Sequence, residues 1–151
     1  MTLTLTMKVG DCFAALGPDG MARASLPRVA GLFLHDTRHL SDYAWDLGDL
    51  ALVHQEASSQ GLTQFWSRFS RHAQHLLLER RLTFREDGFE DRLVFRGESV
   101  EPQEVRIGLR ADADFVDSFE LRGRVRGIGR NPVAREERPD GLRFAYTAQD
   151  G

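Results

Sequence analysis

The sequence predicts an all-β fold, an antiparallel two-sheet β-sandwich with little helix, and three observations carry that expectation. Apolar and polar residues alternate over short runs, turn signals rich in Gly, Pro and Asp recur at close spacing, and uninterrupted windows of helical length are scarce. With 151 residues the chain has room for one domain, expected over 1–151, large enough to remove roughly 70% of its unfolded surface from water.

The first turn signal is Gly17-Pro18-Asp19-Gly20. Gly48-Asp49 follows between runs 43–47 and 50–54, Asp87-Gly88 joins two longer runs, and Pro139-Asp140-Gly141 precedes the last one. Each is read as a hairpin. Around Asp87-Gly88 the alternation is clearest. Leu76, Leu78, Leu82 and Phe84 alternate with Leu77, Glu79, Arg81 and Thr83 before the turn, and Phe89, Leu93 and Phe95 alternate with Glu90, Arg92 and Arg96 after it. Val105, Ile107 and Leu109 are expected to continue the meander, and strands buried on one face must pack on a second sheet. The window 64–77 also carries helical spacing at Phe65, Phe69, His72 and Leu76, but a strand pair with an irregular middle is preferred. The Arg-rich stretch 122–130 reads as a long loop.

Composition removes several function classes. Twenty basic against 23 acidic residues give a net charge of -3, so no global field favours nucleic acid or an anionic membrane. Lys8 is the single lysine. The arginines of 122–130 have no interleaved aromatic rings on which bases would stack, so a solvated loop is preferred to a nucleic-acid interface. No apolar run approaches the roughly 20 residues that cross a bilayer. The one cysteine, Cys12, cannot form an intrachain disulfide, and the N-terminus lacks the pattern of a signal peptide. A reducing, cytoplasmic setting is expected, with Cys12 as a buried, inert thiol.

Two constellations have the residue types of chemistry. His35 and His39 would share one face of a strand, but a zinc site needs three or four ligands, and nothing at a diagnostic spacing supplies the rest. Asp112, Asp114, Asp117 and Glu120 cluster as the paired carboxylates of a glycosidase do, yet Phe115, Phe119 and Arg122 among them favour a structural ion-pair arrangement. Serine-nucleophile and phosphate-loop motifs are absent, and neither a metal nor another cofactor is expected.

GLFLHDTRHLS at 31–41 and ADFVDSFELRG at 113–123 resemble, in order and separation, two signatures of a known family, GLF-x-x-DTR-x-LS and ADF-x-D-x-FE-[VL]-RG. That family is the N-terminal domain of bacterial and archaeal glycogen-debranching proteins of the amylo-α-1,6-glucosidase type. The resemblance covers about residues 9–130, and it marks Asp36, Thr37, Arg38, Asp114, Asp117, Glu120 and Arg122 as signature positions. It implies a β-sandwich ahead of an (α/α)-barrel that carries the hydrolytic carboxylates, in the same polypeptide or another. No catalytic residue is therefore assigned to this chain, which is read as an accessory domain rather than an enzyme.

The alternative is a self-standing carbohydrate-binding or assembly module. Tyr43, Trp45 and Trp66 are the aromatic candidates for contact with α-glucan, unless they belong to the core. An isolated copy that lacks its barrel is expected to self-associate through the surface left open. Arg38 lies among Leu32, Phe33 and Leu40, and a guanidinium drawn toward a core must find acceptors. It is expected to pair with Asp114, Asp117 or Glu120 and so to join the two signature segments.

Overall fold

A computed structural model of the chain describes residues 4–23, 25–26, 29–70, 73–121, 123 and 131–147. Strands β1 (Leu5–Val9), β2 (Cys12–Leu16), β3 (Gly31–Leu34), β4 (Thr37–Leu40) and β11 (Val116–Asp117) form a five-stranded sheet in the order β1-β2-β3-β4-β11. A second sheet is the meander of β6 (Ala51–Ala57), β7 (Gly61–Ser70), β8 (Ala73–Arg85) and β9 (Gly88–Gly97). Two further pairs are β5 (Asp42–Asp46) with β10 (Gly108–Asp112), and β12 (Ala134–Arg138) with β13 (Gly141–Ala145). The pairings are antiparallel, and α1 (Ser118–Leu121) is a single helical turn.

Alternation decides which side chains lose water. Along β8, Leu76, Leu78, Leu82 and Phe84 are buried, while Arg81 and Thr83 between them are exposed. Leu82 and Phe84, with Leu62 of β7, meet Met7, Cys12, Ala14, Leu16 and Leu32 of the five-stranded sheet in one cluster. Leu76 and Leu78 meet Met21, Ala44, Leu47 and Leu50 in a second cluster, flanked by Trp45, Trp66, Leu93 and Phe95. The meander is thus covered at one end by the five-stranded sheet and at the other by β5 and its flanking loops. This is the all-β sandwich that the alternation predicts. Each fully buried Leu contributes about 1.5–3 kcal/mol to holding the layers together.

Local expectations divide. Asp87-Gly88 closes the β8–β9 hairpin, Pro139-Asp140-Gly141 closes β12–β13, and 64–70 pairs with β8 as a strand pair with a register shift between Arg68 and Phe69, residues 71 and 72 lying outside the described residues. Three assignments are corrected. After the turn at 17–20 the chain does not return along β2 but makes one bridge from Ala22 to Tyr43. Gly48-Asp49 carries the chain from β5 to β6, which belong to different sheets. Val105 and Ile107 lie outside any strand, and Leu109 belongs to β10, which pairs with β5 rather than with β9. A turn signal fixes a reversal of direction, whereas the backbone donors and acceptors of an unpaired strand decide who pairs with whom. Except for Gly123, the Arg-rich stretch 122–130 lies outside the described residues.

Candidate functional site

The two signature segments lie against each other. β3 and β4 are joined by His35 and Asp36, whose φ values of 48° and 62° are those of a primed two-residue hairpin turn. Two residues later Arg38 crosses back over Gly31, where an added Cβ would come within 2.6 Å of the Arg38 Cδ. The glycine of the first motif is therefore needed to let the arginine stem pass. Arg38 Nε donates to both carboxylate oxygens of Asp114, at 3.1 and 3.2 Å, its Nη2 also donates to Asp114, and its Nη1 donates to the Ala30 carbonyl at 3.0 Å. The Arg38 side chain is 13% exposed and that of Asp114 30%.

Asp114 also shapes its own segment, since its Oδ1 accepts the Val116 N–H at 3.3 Å and Phe115 between them is left-handed, with φ of 50°. A bulky residue in that region is an outlier that its surroundings must hold in place. Here the Phe115 ring meets His39 edge-on at 5.2 Å and stacks on Tyr146 at 5.7 Å. The ladder continues the junction: Val116 pairs with Arg38, Asp117 pairs with Thr37, and the Ser118 N–H donates to the Asp36 carbonyl at 2.8 Å. Glu120 lies on α1, its carbonyl accepting the Gly123 N–H at 3.1 Å, and Arg122 is outside the described residues.

A second constellation was not anticipated. Arg80 occupies the inward face of β8 between Leu78 and Leu82 and is 0% exposed, and the side chain of Asp91, diagonally across on β9, is 2% exposed. Arg80 Nε donates to Asp91 at 3.0 and 3.1 Å, and its Nη2 to Asp91 Oδ2 at 2.9 Å. The remaining guanidinium donors reach the Gln64 side-chain oxygen at 3.0 Å and the Gly20 carbonyl at 3.0 Å. Asp91 Oδ2 further accepts the Tyr43 hydroxyl at 2.9 Å and the Trp45 indole N–H at 2.8 Å. Gln64 donates to the Asp19 carbonyl at 2.9 Å and accepts the Trp66 N–H at 3.3 Å. Burial first, then the Asp91 carboxylate, push the Tyr43 hydroxyl far above its ordinary value and keep it a neutral donor. Both charges are thus removed from water with their hydrogen-bonding capacity met, the condition for tolerating them in a core.

This network governs the three aromatic candidates. Tyr43 is buried with its hydroxyl directed inward, and Trp66 is half-buried over the second core cluster. Trp45 is half-buried but also reaches the surface, where it lines a groove of about 470 Å³ with Arg23, Asp46, Leu109 and Arg110. Phase is the signal that finds Arg80 and Asp91 in the sequence, because each is even-spaced with apolar neighbours on its strand.

The other candidates make local contacts. His35 Nδ1 lies 3.3 Å from Asp11 Oδ2, and the described residues hold no group of three or more His, Cys, Asp or Glu able to bind a metal ion. Asp112 caps the Ala113 N–H at 2.9 Å. Cys12 is buried, and that burial, followed by the charge of Asp87, pushes its thiol pKa up, away from reactivity. Among the described residues no helix is long and apolar enough to cross a membrane.

Fold and junction together define an antiparallel β-sandwich domain in which an arginine–aspartate pair joins two sequence signatures. The family model for the N-terminal domain of some glycogen debranching enzymes matches residues 7–151, and the chain belongs to that family. No curated protein and no solved structure matches it.

Proposed function

We propose that this chain is the non-catalytic accessory domain of a glycogen-debranching protein of the amylo-α-1,6-glucosidase type. In this reading it packs on a separate (α/α)-barrel glycoside hydrolase domain, supplied in cis or in trans, and supports it in the cytoplasm. The family match over residues 7–151 carries the reading. The contacts of the acids support it, because Asp114 is held by Arg38 and by the Val116 N–H, and Asp91 by Arg80, Tyr43 and Trp45. A glycosidase needs one carboxyl group to donate a proton and another to act as base or nucleophile, and neither Asp114 nor Asp91 is disposed for that work.

The test has two readouts. Purified chain incubated with an α-1,6-branched limit dextrin is expected to release no glucose, and mixing it with the (α/α)-barrel of a debranching enzyme is expected to give a complex in size-exclusion chromatography. Glucose release that survives rigorous purification would overturn the accessory reading. Without a barrel, the chain is expected to form dimers or larger assemblies in light scattering at high concentration.

A further inference from the structure

The open edge of the meander is built to take another strand, and we infer that β6 is a self-association site at which a second copy of this chain adds its own β6 in antiparallel register. Among the described residues β6 ends its sheet, with β7 on one side and no backbone partner on the other. An edge in this state is a template for a further strand, and proteins blunt such edges with charge, proline or short length. The other edges of the described residues are blunted. Strands β9, β10, β12 and β13 each carry at least one arginine, β11 is two residues long, β5 is bridged by Ala22 at Tyr43, and β1 carries Lys8, whose backbone N–H donates to the Ser59 carbonyl at 2.8 Å. By contrast β6 reads ALVHQEA, without lysine, arginine or proline, and leaves Leu52 38% and Val53 57% exposed.

Side-chain chemistry sets the register. The shift between Leu52 and His54 leaves Val53 outside the ladder with β7, and from His54 onward the strand alternates regularly. Gln55 is turned inward, where it donates to the Pro18 carbonyl at 2.9 Å and accepts from Gln64 at 2.9 Å. His54 and Glu56 therefore share the outward face, with the imidazole Nε2 3.1 Å from Glu56 Oε1 and the ring stacked beside Phe65. A two-fold axis at Gln55 sets His54 of each copy against Glu56 of the other, and Val53 against Ala57. The seam then alternates two imidazoles with two carboxylates, while main-chain hydrogen bonds join the two meanders into one sheet. An axis at His54 or at Glu56 would instead set like groups against each other. One step rests on the accessory reading: a barrel built of helices has no strand to add to this edge, so the strand comes from a second copy.

Analytical ultracentrifugation of the full chain is expected to show a monomer–dimer equilibrium. His54→Glu gathers four carboxylates on the seam, and Glu56→Arg gathers cations and imidazoles there, so each should weaken dimerisation by about tenfold or more. An equimolar mixture of the two variants should dimerise again, because each supplies the charge that the other lacks. Both positions are exposed, so the circular dichroism spectrum of each variant should match that of the native chain. A strict monomer up to the solubility limit, a dimer indifferent to both variants, or a mixture as monomeric as its components would overturn the inference. So would a His54→Glu chain that keeps its mass but no longer binds the barrel, since the edge would then belong to the barrel. A strictly monomeric chain that still binds a barrel and releases no glucose would remove the self-pairing and leave the accessory reading standing.

Discussion

Arg80 and Asp91 sit diagonally across β8 and β9, where Arg80 is registered with Leu93 and Asp91 with Leu82, and their side chains meet with neither open to water. The pair is surrounded by five further groups from separate parts of the chain: the Asp19 and Gly20 carbonyls, Tyr43, Trp45 and Gln64. Its worth lies less in net stability than in what happens when one member is lost, since a buried charge without its partner is far costlier than the intact pair is favourable. Arg80→Met should therefore destabilise the domain by about 3–5 kcal/mol in urea unfolding, and Asp91→Leu combined with it should cost clearly less than the two single losses added together. Additive losses would show that the pair does not act as a unit.

Arg38 and Asp114 lie between the buried and the exposed limits, and the expected cost of Arg38→Ala is about 1–3 kcal/mol. Arg38→Lys should recover little of it, because Nε and Nη2 grip one carboxylate together while Nη1 reaches a carbonyl, and an ammonium cannot reproduce that fork. Recovery to near wild-type stability in Arg38→Lys would reduce the contact to simple charge attraction.

The turn at His35 and Asp36 places two side chains in the left-handed region, which Asn and Gly enter at lower cost. His35→Asn with Asp36→Gly should raise stability by about 1 kcal/mol in thermal unfolding. A loss instead would show that the His35–Asp11 contact outweighs the backbone strain that the native pair carries.

Burial lowers the His39 pKa, the neighbouring His35 adds to that, and a backbone hydrogen bond to Leu34 works against it. The unfolded chain therefore takes up this proton at a higher pH than the folded one. The resulting contribution to stability is present above about pH 6.5 and is lost as pH falls through the unfolded value toward the folded one. Melting temperatures measured on either side of that value should differ more for the native chain than for His39→Gln. An equal difference in the two proteins would remove His39 as the source.

Much of this architecture is legible in residue order. The alternation of 76–84 predicts the inward face of β8, and the apolar setting of Arg38 predicts a carboxylate partner in the second signature segment. Which acid it takes is not legible, because the choice is made by the turn at Phe115, where Asp114 caps Val116. Arg80 and Asp91 are passed over for a different reason: arginine and aspartate are surface residues by type, and only their phase with Leu78, Leu82, Phe89 and Leu93 betrays burial. The β5–β10 pairing carries no local signal at all, since backbone ladders between segments separated by the whole meander leave no residue code at either end.

The same topology sets an order of events in folding. Arg80 and Asp91 belong to one hairpin with a tight turn, so their strands can meet within about 1–10 μs. Tyr43 and Trp45 arrive on β5, whose ladder partner β10 lies beyond the end of that hairpin, and long-range closure of this kind is slow. The two charges can therefore meet while still hydrated and are sealed from solvent when β5 and the loop carrying Asp19 and Gly20 dock. Removing Tyr43 or Trp45 should then leave the refolding rate nearly intact and speed unfolding, because their contacts belong to the last step rather than to the nucleus.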